Sequence, residues 1–561
     1  MTRYDYVIVG GGAAGCVLAN RLSEDTEVRV ALIEAGPDRN ARKAIVRMPL
    51  AMVTFMAPAL AFLGGPKFMS WFRTEPEPGL QGRQIDLPRG RGTGGSTNVN
   101  GQIYIRGQRE DFDHWRELGN AGWGYDDLLP YFKKLERFEA LTAPGRKPLA
   151  EPIDPAFHGV DGPLNIAPLR SVNPMAQLYL EAAQRAGFSL NPDFNGKHQS
   201  GVGLYTFTQR NGERVTAEGA YLDPVRHRSN LTVLTSRTVT KVLMEGKRAV
   251  GVAWQGETGT GETPAAEVIL AAGSFVSPHL LMLSGIGEGR ELERHDIAPV
   301  HELPGVGQNL QDHLDVTLEY RAKTTMPYGI SWKALPRNAV HVLDWLVRRR
   351  GLFASTTGEG GGFVSTVPGV ERPDVQLFFC TAIGNTQNAG GFTGHGFLMH
   401  VCQLRPSSAG RLRLTSGDPQ DKPSILYNFL REEGSLDALR AGIRIARRII
   451  AQAPFWPHLD REVDPGPEAE GDGALDAFIR RSVGTLFHPV GTCAMGVGPD
   501  AVVDPASLRV HGVDGLRVID ASIMPTIVSG NTVAATYCLA EKGADLVRAD
   551  RRAANAGGMN G

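Results

Sequence analysis

The chain has 561 residues, too many for one compact hydrophobic core, which predicts at least two domains. Its 59 basic and 60 acidic residues give a net charge of −1 without long runs of one sign, which argues against a nucleic-acid-binding surface. Five widely spaced cysteines without a CxxC pair argue against a disulfide framework or a structural zinc site, and they fit a cytoplasmic setting.

The first 34 residues alternate between a strand, a glycine-rich turn, a helix and a second strand. The apolar run 6–9 is broken by GGGAAG at 10–15, and the helical spacing of 16–24 leads into the apolar run 28–34. Apolar strands of this kind are typical of parallel sheets that are covered on both faces.

A GxGxxG motif lies at that turn, formed by Gly10, Gly12 and Gly15, and Glu34 ends the next strand. In such a motif the first glycine permits a tight turn, the second lets the backbone approach a pyrophosphate, and the third lets helix and strand pack closely. The helix N-terminus favours phosphate charge, and Glu34 is suited to accept hydrogen bonds from a ribose. A dinucleotide is therefore predicted here, and this motif leaves open whether it is NAD or FAD.

Residues 48–65 are almost wholly apolar and about long enough to cross a bilayer as a helix. Pro49 and Pro58 would break such a helix. We interpret 48–87 as a lid over the active site. Contact of 48–65 with a membrane surface is the alternative, which would make the protein peripheral at the inner face of the cytoplasmic membrane.

A second glycine-rich stretch, PRGRGTGGSTNVNGQIYIRG at 88–107, favours FAD over NAD. Its glycines let the chain lie against a flat, extended ligand, and the amides of Asn98 and Asn100 can bond the polar edges of that ligand. A nicotinamide site does not need this second loop.

Later stretches return to the first pattern. Residues 266–274 and 515–522 read as buried strands that run into small residues. Asp520 ends the second of these strands, and a helix beginning near Thr532 would point its N-terminal dipole toward the flavin. Between them, 316–477 shows the alternation of an antiparallel sheet.

The predicted fold class is α/β: a discontinuous Rossmann-like FAD-binding domain on a doubly wound, mostly parallel sheet, joined to an α+β substrate domain on a mainly antiparallel sheet. The predicted boundaries give 1–165, 206–314 and 478–550 to the FAD-binding domain and 166–205 and 315–477 to the substrate domain. The small, polar end of the chain, 551–561, is expected to be disordered.

The sequence resembles the glucose–methanol–choline (GMC) family of FAD-dependent oxidoreductases from about residue 4 to residue 548. Residues 90–113 match the family's first signature, except that Thr93 stands where an aliphatic residue or Trp is usual, and 273–287 match its second signature. Residues 305–313 and 488–496 match two further family stretches. Within the family, the chain is most similar to bacterial dehydrogenases of aliphatic primary alcohols, with choline dehydrogenases close by.

The resemblance implies that His488 is the catalytic residue and that Asn531 is its partner across the flavin. An imidazole can take the hydroxyl proton of an alcohol as hydride leaves its carbon, and Asn531 can hold the alkoxide oxygen as a neutral donor. Val99 stands where family members with covalent flavin carry a histidine, so the FAD is expected to be non-covalent. His313 is assigned a structural role.

Motifs and resemblance together assign the cofactor contacts to both glycine clusters, the strand ends and the C-terminal motifs. These residues are Gly10, Gly12, Ala13, Ala14, Gly15, Glu34, Ala35, Gly94, Thr97, Asn100, Gly101, Gln102, Ile103, Val239, Asp520, Ala521 and Thr532. No metal site is predicted.

The predicted function is oxidation of a primary alcohol, aliphatic or aromatic, to the aldehyde. The expected partners are the small-molecule alcohol and a quinone, a carrier protein or O₂ as electron acceptor, with no nucleic acid. Three alternatives stay open: a choline, polyol or sugar dehydrogenase or oxidase of the same family, a lyase that keeps FAD without using its redox chemistry, and a catalytically inactive flavoprotein at a membrane surface.

Overall fold

A computed structural model describes residues 3–56, 68–142, 153–257, 259–384, 393–431 and 434–558. Residues 57–67 of the predicted lid lie outside these ranges. The rest of the lid consists of short helices up to residue 56 and of strand Met69–Arg73 paired with strand Asp86–Gly90.

Fifteen strands build the two large sheets. In chain order they are β1 (Tyr4–Val9), β2 (Val30–Ile33), β3 (Gly201–Leu204), β4 (Leu231–Leu234), β5 (Arg237–Glu245), β6 (Arg248–Gly256), β7 (Gly259–Leu270), β8 (Leu314–Ala322), β9 (Gly329–Ile330), β10 (Gly358–Val364), β11 (Val375–Cys380), β12 (Gly394–Gln403), β13 (Leu459–Asp464), β14 (Gly484–Thr485) and β15 (Leu516–Val518).

The longer helices of the described residues number nine. They are α1 (Ala13–Leu22), α2 (Arg109–Glu117), α3 (Tyr125–Leu135), α4 (Pro174–Arg185), α5 (Val276–Leu283), α6 (Leu335–Arg348), α7 (Gly434–Ile450), α8 (Asp472–Ser482) and α9 (Val533–Gly558). Shorter helices span Ala44–Arg47, Met52–Met56, Glu139–Thr142 and Gly289–Glu293.

The first sheet has the strand order β4-β2-β1-β7-β6-β5, and β15 also pairs with β7. β4, β2, β1, β7 and β15 run parallel, while β5 and β6 form an antiparallel meander. β7 belongs to both parts, because its C-terminal half pairs with β1 and its N-terminal half pairs with β6. The carboxyl ends of the parallel strands meet at one edge, where ligands of such sheets bind.

The second sheet has the order β13-β8-β12-β11-β10-β3, all antiparallel, with β9 added to β12 and β14 added to β8. Helices α4 and α7 pack against it. A mostly parallel sheet beside an antiparallel one confirms the predicted architecture. β14 lies within the range predicted for the FAD-binding domain and nevertheless joins the second sheet.

Disorder was expected for 551–561, but the structure has residues 551–558 as the end of α9. The tail is rich in alanine, a strong helix former. Arg551 also ties the helix to the first strand, with Nη1 lying 3.0 Å from Oδ1 of Asp5. Residues 559–561 lie outside the described ranges.

Across the described residues, no helix combines the length and the apolar character needed to cross a membrane.

Candidate active site

A cavity of about 1080 Å³ is bounded by residues of both large sheets. Ligand pockets typically measure about 300–1,000 Å³, so this one has room for a cofactor together with a small substrate. The predicted site residues that line it are His488, Asn531, Gly10, Gly12, Ala13, Ala14, Glu34, Ala35, Thr97, Asn100, Gly101, Gln102, Ile103, Val239, Asp520, Ala521 and Thr532. Gly15 and Gly94 do not line it.

The three glycines of the first motif differ in what a side chain would meet. A Cβ at Gly10 would lie 2.6 Å from the carbonyl oxygen of Ala271, and a Cβ at Gly15 would overlap the carbonyl oxygen of Gly10. A Cβ at Gly12 would meet no protein atom within 4 Å. The fold itself therefore does not require glycine at position 12, and the open space there fits the predicted approach of a pyrophosphate.

Glu34 follows β2 with a buried carboxylate. Its Oε2 accepts a hydrogen bond from the N–H of Gly11 (2.7 Å), and its Oε1 accepts from the N–H groups of Gly36 (2.8 Å) and Gly92 (2.9 Å). Three donors on about four lone-pair sites leave room for one more, such as a ribose hydroxyl. Glu34 also ties the two glycine clusters to each other.

The second glycine cluster lies directly on the first. Gly94 donates its N–H to the carbonyl oxygen of Gly11 (2.8 Å), which explains why Gly94 sits behind the cavity wall. A Cβ at Gly95 would lie 2.7 Å from the Cα of Gly12. The two loops therefore form one surface.

Farther along the same loop, polar side chains border the cavity. Arg214 holds Asn100 by donating from Nη1 to its backbone oxygen (2.6 Å) and to its side-chain oxygen (2.8 Å). Gln102 has φ of +63°, and its amide oxygen and nitrogen are buried without a partner among the described residues. Buried polar groups are nearly always hydrogen-bonded, so the Gln102 amide fits a site that a polar ligand completes.

Asp520, from the C-terminal part of the chain, follows β15 and also borders the cavity. Its Oδ2 accepts from the Gly273 N–H (2.8 Å) and from the Ser277 hydroxyl (2.6 Å), and its Oδ1 accepts from the N–H and hydroxyl of Ser522 (2.8 and 2.6 Å). The carboxylate thereby fixes the turns after β7 and β15, both of which line the cavity.

Two departures from the family pattern have a clear place in the structure. Thr93 is fully buried, does not line the cavity, and donates its hydroxyl to Oε1 of Glu218 (2.7 Å). Val99 does line the cavity, with an aliphatic side chain that offers no nucleophilic atom.

His488 and Asn531 lie side by side on the cavity wall, with Asn531 Nδ2 at 3.2 Å from His488 Nε2. The backbone N–H of His488 donates to Oδ1 of Asp312 (2.9 Å), which fixes the turn after β14. Asn531 stands two residues before α9, whose N-terminal dipole end favours negative charge in the cavity.

His313, to which the sequence analysis assigns a structural role, contacts the predicted catalytic histidine. Its Nδ1 lies 2.9 Å from Nδ1 of His488, and its Nε2 lies 3.1 Å from the carbonyl oxygen of Leu404. A carbonyl only accepts, so Nε2 of His313 carries the proton and its Nδ1 accepts from the Nδ1–H of His488. His488 Nε2 therefore keeps its lone pair and faces the Asn531 amide.

The pKa values agree with this order of hydrogen bonds. Burial lowers the pKa of His488 well below its ordinary value, and His313 and Arg89 lower it further. Burial also lowers the pKa of His313 to about 4, so both rings are neutral near pH 7. Burial raises the pKa of Asp312 to about 6. Its Oδ1 accepts hydrogen bonds from the backbone N–H groups of both His313 and His488.

The second sheet presents a polar group to the same cavity. Thr317, His400 and Phe378 are register partners across β8, β12 and β11, and therefore share one face. Asp315 Oδ2 lies 2.8 Å from His400 Nδ1. Burial alone would lower the pKa of His400, but Asp315 raises it well above its ordinary value. All four side chains line the cavity.

The sequence-based predictions did not include Asp315 and His400 among the site residues. One signal was present for the first of them: 313, 315 and 317 are polar at every second position, which places their side chains on one side of a strand. His400 carried no such signal, because it is 85 residues from Asp315 and meets it only through the pairing of β8 with β12.

The described residues contain no group of three or more His, Cys, Asp or Glu side chains placed to hold a metal ion. They do fit FAD: a helix N-terminus beside Gly12, the carboxylate of Glu34 with a lone pair to spare, and the unpaired amide of Gln102 border one cavity.

Comparisons with known proteins agree with this geometry. Two family models described as GMC oxidoreductase match residues 4–315 and 406–540. An alcohol dehydrogenase [acceptor] of Pseudomonas putida is 41% identical over 97% of this chain and 95% of its own length. An oxygen-dependent choline dehydrogenase of Yersinia pseudotuberculosis is 42% identical over 97% and 94%. The crystal structure of pyridoxine 4-oxidase from Mesorbium loti superposes with a TM-score of 0.84 at 32% identity, covering 97% of this chain and 99% of that one.

Proposed function

Because this chain belongs to the GMC oxidoreductase family, whose FAD-dependent members oxidise CH–OH donors, we propose that it converts a neutral primary alcohol to the aldehyde with His488 as the base. The observation that carries the proposal is the His313–His488–Asn531 arrangement, which leaves an unprotonated imidazole nitrogen beside an amide donor on the cavity wall.

The chain's own residues account for the proton. Asn531 Nδ2 and His488 Nε2 are close enough for one hydroxyl oxygen to bond to both, receiving a hydrogen bond from the amide and giving its own proton to the imidazole. The alcohol O–H bond breaks toward Nε2, and the C–H bond breaks with its electron pair as the C=O bond forms. The chemistry that bound FAD supplies is acceptance of that hydride. As the oxygen gains negative charge, the amide and the α9 N-terminus stabilise it.

The other wall of the cavity favours a neutral substrate. Asp315 is paired with His400, whose raised pKa keeps it protonated near pH 7, so the pair has no net charge. Much of the surrounding lining is apolar, including Phe378, Leu398 and Val342. An aliphatic or aromatic alcohol can bury its chain there.

Choline is the second candidate, because Oδ1 of Asp315 is buried without a partner among the described side chains. That oxygen is placed to face a quaternary ammonium group, and the Yersinia relative is named a choline dehydrogenase. The polyol, lyase and inactive-flavoprotein alternatives have no comparable observation in their favour.

Two finer features complete the proposal. FAD is held without a covalent bond, since the cavity position 99 is valine, and acid-precipitated protein should release all its yellow colour into the supernatant. The electron acceptor is a quinone, a carrier protein or O₂.

The test is anaerobic mixing of the yellow protein with 1-alkanols, benzyl alcohol and choline, followed by air. Bleaching by the neutral alcohols, with aldehyde formed in equal amount, is the expected result. Bleaching by choline alone would replace the proposal with the second candidate, and no bleaching by any alcohol would overturn both. Slow return of colour in air that added quinone accelerates would identify a dehydrogenase.

A further inference from the structure

Helix α6 carries apolar side chains on its outer surface. Val340, Leu343 and Val347 are 61%, 62% and 79% exposed. Residues 330–347 contain eight of the sixteen large hydrophobic side chains that stand exposed in the described parts of the chain. Exposed hydrophobic residues scattered singly need no explanation, but a cluster of this kind marks an interaction site.

Helix α6 turns most of its apolar side chains toward solvent, the reverse of the usual orientation of a surface helix. At about 100° per residue, its exposed apolar side chains fall within an arc of roughly 160°, while Trp345 on the other side is buried. Surface helices normally turn the apolar stripe inward. Trp332, which is 78% exposed just before the helix, extends the apolar face.

Basic side chains surround this face. Residues 331–350 contain five basic residues and one acidic residue, a difference of four positive charges, in a chain whose net charge is −1. Asp344 is paired with Arg348 (3.6 Å), and Arg349 is paired with Glu213 (2.7 Å), which leaves Lys333, Arg337 and Arg350 without an ion-pair partner among the described residues. Lys333 at one end of the helix and Arg350 at the other are exposed. Apolar residues between exposed cations are complementary to a bilayer with anionic headgroups, and not to a purely apolar protein partner.

The same helix borders the cavity. Leu335, Ala339 and Val342 line the cavity and are also exposed, so the cavity reaches the surface along α6. Leu50 and Val53, from the described beginning of the apolar segment, line it as well.

We propose that α6 and Trp332 form a docking surface that lies flat on an anionic lipid bilayer and places the mouth of the cavity at the membrane interface. An apolar alcohol dissolved in the bilayer would then enter without crossing water, and a lipid-soluble acceptor would be at hand. The docking itself does not depend on the proposed reaction.

The experiment is co-sedimentation of the FAD-loaded protein with vesicles, without any alcohol present. Wild-type protein is expected to pellet with phosphatidylglycerol vesicles and much less with phosphatidylcholine vesicles. Val340→Glu/Leu343→Glu/Val347→Glu should reduce binding at least tenfold, since three carboxylates replace the apolar contact. None of these three residues lines the cavity, so turnover of a water-soluble alcohol in buffer should be unchanged.

The matched control is Val367→Glu/Val370→Glu, which adds charge at exposed valines elsewhere and should bind like wild type. Lys333→Glu/Arg350→Glu should lose the preference for phosphatidylglycerol. Equal pelleting of wild type and the triple variant would overturn the proposal. A second outcome would also overturn it: size-exclusion chromatography shows a wild-type dimer and a monomeric triple variant, and neither protein binds vesicles. The face would then join two copies of this chain.

Discussion

The Nδ1 atoms of His313 and His488 lie 2.9 Å apart, with the two ring planes at 90° to each other. In the proposed mechanism, this contact determines which nitrogen of His488 acts as the base. Because His313 Nε2–H donates a hydrogen bond to the Leu404 carbonyl, His313 Nδ1 accepts from Nδ1–H of His488. The only lone pair left on the His488 ring is then the one on Nε2, beside Asn531.

Replacing His488 with alanine should lower kcat at least about 100-fold, because the alcohol proton then has no positioned acceptor. FAD should stay bound, since the cofactor contacts proposed for the glycine loops are untouched. Stopped-flow bleaching and the visible spectrum measure the two effects separately. An unchanged bleaching rate would remove His488 from the mechanism.

Replacing His313 with leucine should lower kcat by roughly 10- to 100-fold, as is typical when the partner that orients a functional imidazole is lost. We infer that His313 positions His488 and does not itself react, so the decisive measurement is the pH profile of kcat/KM. The acid limb should move, because His313 contributes to the lowered pKa of His488. His313→Gln, whose amide oxygen can accept from Nδ1–H, should recover part of the rate. A loss of rate with an unshifted profile and no recovery in the glutamine variant would indicate a purely structural role.

The wild-type kcat/KM should be insensitive to mildly acidic pH. In the proposed mechanism the active form of His488 is neutral, and burial lowers its pKa well below the ordinary value near 6.5. As pH falls, kcat/KM should therefore stay level past 6.5 and decline only at a lower pH, where the ring takes up a proton. The visible spectrum, followed over the same range, shows whether the holoenzyme remains intact. A decline centred at 6.5 or above would contradict the assignment.

Gly12 and Gly15 should fail in different ways when enlarged. Gly12→Val has space within the protein, so we expect a folded protein of normal thermal stability that purifies without FAD. Gly15→Ala collides with the Gly10 backbone and should lose stability. Thermal melts of the two apoproteins against wild-type apoprotein distinguish them. A fully yellow Gly12→Val protein would show that no pyrophosphate passes close to this position.

The Asp315–His400 pair offers a test of substrate class. Asp315→Asn keeps a hydrogen-bonding side chain but removes the carboxylate that a quaternary ammonium would need. We expect the ratio of kcat/KM for 1-alkanols to that for choline to rise, measured side by side on both proteins. Equal losses with both substrates would mean that the carboxylate serves the architecture of the cavity and not the choice of substrate.

The sequence was sufficient for features that are local in the chain. The GxGxxG turn, the strand ending at Glu34 and the glycine-rich loop follow from short-range pattern and chain stereochemistry. His488 and Asn531 were assigned through family resemblance, and their 3.2 Å contact depends on two turns 43 residues apart.

Features set by tertiary packing could not be predicted in this way. The meeting of Asp315 with His400 depends on the register of β8 against β12, which no local pattern specifies. The pattern of α6 would by itself predict a helix with its apolar side turned inward, whereas Trp345 takes the buried position and the valines face out. Residues 551–558, where disorder was expected, are helical, and Arg551 pairs there with Asp5 from the other end of the sequence.

The contact between Gly95 and Gly12 also constrains how this protein can vary. Since a Cβ on Gly95 would press on the Cα of Gly12, a side chain at position 95 requires the first loop to move. The conformations of the two loops, which are more than 80 residues apart in the chain, are therefore coupled. An engineer who reshapes the cofactor crevice would have to redesign 10–15 and 90–96 together. Replacing one loop with that of a relative should be tolerated only when the other loop is replaced as well.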